Sequence, residues 1–307
     1  FQDLIILLEE MGRHMLPGPY FSTVVMGGMS IMEAGTEDQK QEYLPRIAEG
    51  QIIVTLALNE PSGRWDAEGI QLTADKSGDG YVLNGTKLFV PNAHVSDNLV
   101  VAARTGEEDT DISLFIVSSQ AKGVTQNLLK TIASDRQSEV VFEKVEVPSS
   151  ALLGEKNAGW ATIEKVLQWG AIGKCAEMSG GGQEVLDMTV EYAKQRTQFG
   201  RPIGTFQAIQ HHCANMATDV EGAKFITYQA AWKLSEGLPA EREVAMAKAW
   251  VSEAYRRVCA LGHQSHGAIG FTKEHNMQLY SRRAKAAELA FGDADLHLEK
   301  VAEIIGL

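Results

Sequence analysis

Apolar residues recur every three to four positions through FQDLIILLEEMGRHM at the start of the chain, which predicts an amphipathic helix. A second helix is predicted over TEDQKQEYLPRIAEG, where Thr36 stands as the cap and Glu37 as an acid in the first turn. From Gln51 to about Pro148 the pattern changes to short β-rich runs, IIVTLAL, IQLTADK, YVLNGTKLFV, NLVVAA, ISLFIVSS and SEVVFEKVEV, separated by Gly, Asp, Asn and Ser turns. Beyond Gly159 long helical spacing returns. Val244, Ala247, Val251, Ala254, Val258 and Leu261 make one stripe, and Ile209, Cys213, Met216, Val220 and Ala223 another. Helices, then strands, then long helices make an α+β chain and not a βαβ repeat. The expected division is an N-terminal helical segment over 1–50, a β-domain over 51–150 and a helical bundle over 151–307, with four long antiparallel helices after Gly159. The run SGGGQ, Ser179 to Gln183, lies inside a helical pattern and lacks the Lys-Ser/Thr of a phosphate loop. Each interior glycine costs a helix about 1 kcal/mol relative to alanine, so the run reads as a point of close helix packing.

Composition narrows the class. With 307 residues, 44% of them hydrophobic, the chain can bury a large core. A formal charge of −12 argues against nucleic acid or an anionic membrane as partner, so any phosphate-bearing ligand must be held by local donors. Cys175, Cys213 and Cys259 are odd in number and lack metal-type spacing. They read as reduced thiols in a cytoplasmic protein. No apolar run reaches the ~18 residues of a membrane span, and no secretory pattern is present. Phe1 already lies inside a helical pattern, so the natural start is expected to precede it. His211, His212, His263, His266 and His275 cluster in the second half, but no pair has the spacing and acidic partner of a zinc helix, so no metal site is expected.

Four words carry a resemblance over essentially the whole chain: LALNEPSGRWD (Leu56 to Asp66), LNGTKLFVPNA (Leu83 to Ala93), RTQFGRPIGTFQAIQ (Arg196 to Gln210) and HQSHGAIGFTKEH (His263 to His275). In these words and in the order of its segments the chain resembles the acyl-CoA dehydrogenases, FAD-dependent flavoproteins built from an N-terminal helical domain, a β-domain and a C-terminal four-helix bundle. Compared with that family the N-terminal segment looks truncated. The resemblance implies that Arg196, Gln198 and Phe199 lie in a loop that reaches the adenosine diphosphate half of a neighbouring subunit's FAD, with Ile203, Phe206, Gln207 and Ile209 continuing the lining. A guanidinium can grip a pyrophosphate through two parallel hydrogen bonds, which suits Arg196 to that place. Gln264, Gly267 and Ala268 are implied as the second dinucleotide contact, where small residues admit the phosphates closely. The family also implies an acyl-CoA substrate, a tetramer and an electron-accepting flavoprotein.

The flavin and substrate positions depart from the family pattern. Its Thr-Glu-Pro word reads Asn59-Glu60-Pro61 here; Asn59 can still hydrogen-bond a flavin edge, but Trp65 puts an indole where the thioester chain would enter. Its Trp-Ile-Thr word reads Phe89-Val90-Pro91, and proline has neither a hydroxyl nor an amide hydrogen for flavin N5. Dehydrogenation needs a carboxylate to remove the α-proton. At the two places where the family carries it, this chain has Phe291 and Gly170, the latter followed by Ala171 in place of the usual arginine. Asp293 and Glu288 are the nearby carboxylates, and a helix cap or a solvated face explains either. The leading expectation is a subunit of a heteromeric acyl-CoA dehydrogenase that completes the FAD site of a catalytic partner, the acyl-CoA being bound by that partner. The alternatives are a self-sufficient FAD enzyme whose base is atypical or whose reaction needs none, such as desulfination of an acyl-CoA, and a non-enzymatic interaction protein of the same fold.

Overall fold

The computed structural model describes residues 1–307 and divides into two compact units, Pro17–Leu167 and Phe1–Leu16 with Gln168–Leu307. The segment read as one N-terminal helical region is therefore shared: helix α1 (Gln2–Arg13) belongs to the second of these units, and α2 (Met29–Ala34) and α3 (Glu37–Ala48) to the first.

In the unit Pro17–Leu167, α2 follows a π-helical turn over Ser22–Gly28. Helix α3 starts at a capping box: Thr36 Oγ1 accepts from the Gln39 amide, and the Gln39 side chain accepts from the Thr36 amide. Eight strands follow: β1 (Val54–Ala57), β2 (Thr73–Ser77), β3 (Gly80–Pro91), β4 (Asn98–Arg104), β5 (Ile112–Ser118), β6 (Val124–Leu128), β7 (Gln137–Pro148) and β8 (Leu152–Leu153). They form one sheet in the order β6-β7-β3-β2-β4-β5-β8, with β1 beside β4. The pairs β1–β4 and β2–β4 are parallel and the others antiparallel. Alternation along β3 and β7 sends Tyr81, Leu83, Val140, Phe142, Val145 and Val147 into the same core as Leu99, Val101, Phe115 and Val117. The registry of β3 on β7 shifts twice, the second time between Lys87 and Val90. There Phe89 turns to φ 54° and stands 55% exposed.

The other unit holds α1 and the long C-terminal helices α4 (Gly159–Gln195, from Gln168 on), α5 (Gln207–Ser235) and α6 (Glu241–His266), then α7 (Met277–Leu289) and α8 (Ala294–Ile305). The bundle's fourth helix, α7, has 13 residues against 26 or more in the three before it, because the chain breaks at Ala290–Asp293 before α8 begins. Most of each predicted stripe faces inward: Val244, Ala247, Val251, Ala254 and Val258 are buried on α6, and Met216, Val220 and Ala223 on α5, while Leu261, Ile209 and Cys213 at the stripe ends are half-buried. The glycine run does what its helical setting implies. A Cβ at Gly180 would lie 1.8 Å from the Glu9 carbonyl oxygen of α1, and one at Gly181 would lie 2.4 Å from the Tyr255 hydroxyl of α6. Only a bare backbone lets α1 and α6 approach α4 this closely.

Candidate functional site

The two positions where a carboxylate base is expected turn out to share one space. Phe291, between α7 and α8, lays its ring over Gly170 of α4: a Cβ at 170 would lie 2.3 Å from Phe291 Cε1 and 2.6 Å from Cζ. The turn that aims the ring is unusual, with Phe291 at φ 60° and Gly292 at φ 89° in succession. An L-residue adopts that region at a cost, so the surroundings must hold it there. They do. Lys248 of α6, fully buried, donates to the carbonyls of Glu288 and Gly292, both at 2.8 Å, and to Ser252 Oγ at 2.9 Å. Burial lowers its pKa to about 8. His297 Nε2 lies 2.9 Å from the Phe291 carbonyl, and its role there is donor. Asp293 caps α8 by accepting from the Leu296 amide at 3.0 Å. Glu288 is buried and paired with Lys285 at 3.1 Å and Arg256 at 3.6 Å. Both carboxylates near the empty base position thus have structural tasks, and Ala171 is buried beside Gly170. The one sequence signal for the Lys248 clamp is a lysine between Ala247 and Ala249 on the apolar face of α6.

The candidate cofactor contacts form two exposed edges of the same unit. Arg196 follows the last turn of α4 and opens a two-stranded hairpin, β9 (Thr197–Gln198) with β10 (Arg201–Pro202), whose tip is Phe199 and Gly200 at φ 53° and 78°. Phe199 is 91% exposed, edge-on to Phe206, and the Arg201 guanidinium lies 4.3 Å over the Phe206 ring. Ile203 starts a 3₁₀ turn, Phe206 caps α5, and Gln207 and Ile209 stand in its first turn. The second edge is the end of α6, where Gln264, Gly267 and Ala268 are exposed. Gly267 at φ 62°, ψ −147° has a conformation open essentially to glycine alone, and open space surrounds the place where a Cβ would stand.

These edges fit a dinucleotide. The Arg196 guanidinium makes no hydrogen bond or ion pair within the chain, and Gln198 donates only to the adjoining Thr197 carbonyl at 2.8 Å. An unpaired guanidinium, beside an exposed Gln198 amide that donates only to its neighbour's carbonyl, is a donor set that a pyrophosphate takes.

In the sheet unit, Asn59 is half-buried; its carbonyl accepts from the Leu88 amide at 2.8 Å while its side-chain amide has no partner in the chain. Next to it Glu60 and Lys87 form a buried ion pair at 2.7 Å. Glu60 also accepts from the amides of Gln71 and Leu72, and Lys87 donates to the Leu58 carbonyl. This pins the loop 58–72 to β3. Within the loop Trp65 is half-buried between Arg64 and Asp66, and Arg64 pairs with Asp66 at 2.6 Å and Glu68 at 2.5 Å. Pro91 is half-buried at the end of β3 opposite Gln137. Strand alternation through Tyr81 and Leu83 turns Lys87 inward but would turn Phe89 inward as well; Phe89 is exposed because the register shifts between Lys87 and Val90.

Family models for the N-terminal, middle and C-terminal domains of acyl-CoA dehydrogenases match residues 1–51, 55–145 and 157–306. The chain is 35% identical over 306 residues to the 3-(aryl)acrylate reductase of Clostridium sporogenes, covering 97% of this chain and 81% of that protein. It is 34% identical to the caffeyl-CoA reductase-Etf complex subunit CarC of Acetobacterium woodii, covering 95% of this chain and 79% of the other. Among solved structures, a chain of the ChsE4-ChsE5 complex from Mycobacterium tuberculosis superposes with a TM-score of 0.90 at 28% identity, covering 99% of this chain and 80% of that one.

Proposed function

The chain belongs to the acyl-CoA dehydrogenase family, whose cofactor is FAD, and within that family we propose that it is a subunit of a heteromeric enzyme that completes the FAD site of a catalytic partner. The observation that carries this reading is the Phe291 ring over Gly170, since a hydrocarbon surface fills the space from which either family position would present a base. A carboxylate must stand beside the reacting α-carbon for the proton to leave, and here the partner supplies it. FAD, when bound, accepts the hydride from the β-carbon. This chain's part is to grip: Arg196 takes the pyrophosphate, Gln198 adds an amide, Phe199 gives an apolar wall, and Gln264, Gly267 and Ala268 bring backbone and amide close to the phosphates. Trp65 narrows the acyl entrance and Pro91 offers no donor toward the flavin, which leaves the acyl-CoA to the partner. Tetrameric assembly in the cytoplasm and an electron-accepting flavoprotein complete the reading. Two likenesses support it: a relative named as a subunit of an Etf complex, and a neighbour solved as a complex of two differently named subunits.

Expression of the chain alone and together with the adjacent reading frame tests this. We expect a colourless protein alone and a yellow complex with the partner. A chain that is yellow by itself and oxidises acyl-CoA without a partner would overturn the proposal.

A further inference from the structure

Two separate edges would grip one cofactor, and the sequence does not say what fixes the distance between them. The hairpin leaves the end of α4, and the glycine turn leaves the end of α6. A pile of rings joins the two. The Tyr192 ring, in the last turn of α4, stacks on the His266 imidazole at the end of α6, with centroids 4.5 Å apart and planes 23° from parallel. The Tyr192 carbonyl accepts from the Arg196 amide at 2.8 Å, and His266 directly precedes Gly267. One contact therefore ties the root of the hairpin to the root of the glycine turn.

His266 is itself held in place. It is 4% exposed, its Nδ1 donates to the Gly262 carbonyl at 2.8 Å, and its ring meets His275 edge-on at 4.9 Å. His275 in turn accepts from the Met277 amide at 3.1 Å, which anchors it at the start of α7. Alongside, His263 stacks on Phe271 at 4.3 Å and bonds Ser281 of α7. Burial holds both His263 and His266 below the ordinary imidazole pKa.

We propose that the Tyr192–His266 stack is a latch that sets the spacing of the two FAD-gripping edges, which makes Tyr192 and His266 positioning residues for the cofactor. The proposal rests on the assignment of those edges to FAD. Two segments held in register bind as one preformed site, whereas unlatched segments must be ordered at the expense of affinity.

The test is FAD affinity of the partnered complex, measured by release of flavin fluorescence, with the melting midpoint of the FAD-free protein recorded in parallel. Tyr192→Leu and His266→Leu remove the stack; Tyr192→Phe keeps it and removes only the hydroxyl. A ring pair of this kind is worth roughly three- to tenfold in equilibrium constant. We expect each leucine variant to lose about that factor in FAD affinity, the double variant to lose no more than either single, and Tyr192→Phe to bind as wild type. Leucine variants that bind FAD normally despite a lowered midpoint would overturn the latch, as would losses that add in the double variant. Arg196→Ala separates the two claims. If it leaves affinity unchanged, the assignment of these edges to FAD fails and the latch with it. If it weakens FAD while the leucine variants do not, the latch alone fails.

Discussion

A single methyl group at position 170 would have to displace the edge of an aromatic ring that is only 9% exposed. Overpacking of this kind typically costs ~1–3 kcal/mol. Gly170→Ala should therefore destabilise the chain by about that amount in chemical denaturation, and by clearly less in a Phe291→Leu background, where the aromatic edge is gone. Equal costs in the two backgrounds would show that the ring is free to swing away. The departure of each residue from its family is legible in the sequence, one by one. Their contact is not, because it depends on a left-handed turn at Phe291 that no local propensity favours. The same limit hides the role of Lys248: its place on the apolar face of α6 can be read, but not the two carbonyls that receive it.

At the scale of elements, that turn divides α7 from α8, and His297 on α8 closes it from below. Burial, opposed in part by the bond to the Phe291 carbonyl, lowers the His297 pKa from 6.5 to about 4, while Lys248 and Lys300 push the same way as burial. The folded protein thus keeps His297 neutral where the unfolded chain would protonate it. Stability from this residue is unaffected above pH ~6.5, falls as pH drops from there toward ~4 by up to about 1.4 kcal/mol per pH unit, and levels off below. His263 and His266 are shifted in the same direction and steepen the same limb. His297→Gln can keep the bond to Phe291 without the titration, so its acid limb should be shallower than wild type by one proton's slope. Parallel limbs in unfolding measured from about pH 7 to pH 4 would remove His297 from this account. Elements with strong periodicity or an explicit cap are legible in the sequence: α1, α3 with its Thr36 cap, the long helices, and six of the eight sheet strands. The others escape for physical reasons. β6 reads VTQNL and sits at the sheet edge with its side chains largely outside the core, β8 is two residues long, and the π-helical turn has no signature apart from its helical surroundings. The break before α8 is hidden by an apolar pattern that runs through Leu289 and Phe291.

At the scale of the whole molecule, a chain of formal charge −12 repels an anionic dinucleotide at long range, but that field is screened beyond ~8–10 Å at physiological salt. On the proposed reading, affinity for FAD comes from short-range donors at the hairpin and the glycine turn, Arg196 first among them. The place of the base is the sharpest consequence. Asp293 holds the first turn of α8 and Glu288 is shared between Lys285 and Arg256, so each carboxylate is committed away from the space that Phe291 fills. Asp293→Ala should cost about 1 kcal/mol of stability through the lost cap. In the assembled complex, it and Glu288→Gln should leave kcat close to wild type. Replacing the partner's carboxylate should lower kcat by ~10²–10⁴, the usual contribution of a positioned general base. Gly170→Glu in this chain should restore nothing, because its side chain would have to pass through the Phe291 ring. Steady-state kinetics of the four variant complexes decide the matter: a loss of kcat confined to Asp293→Ala or Glu288→Gln, with the partner's variant unimpaired, would place the base in this chain and make the Phe291 ring a wall of a working active site.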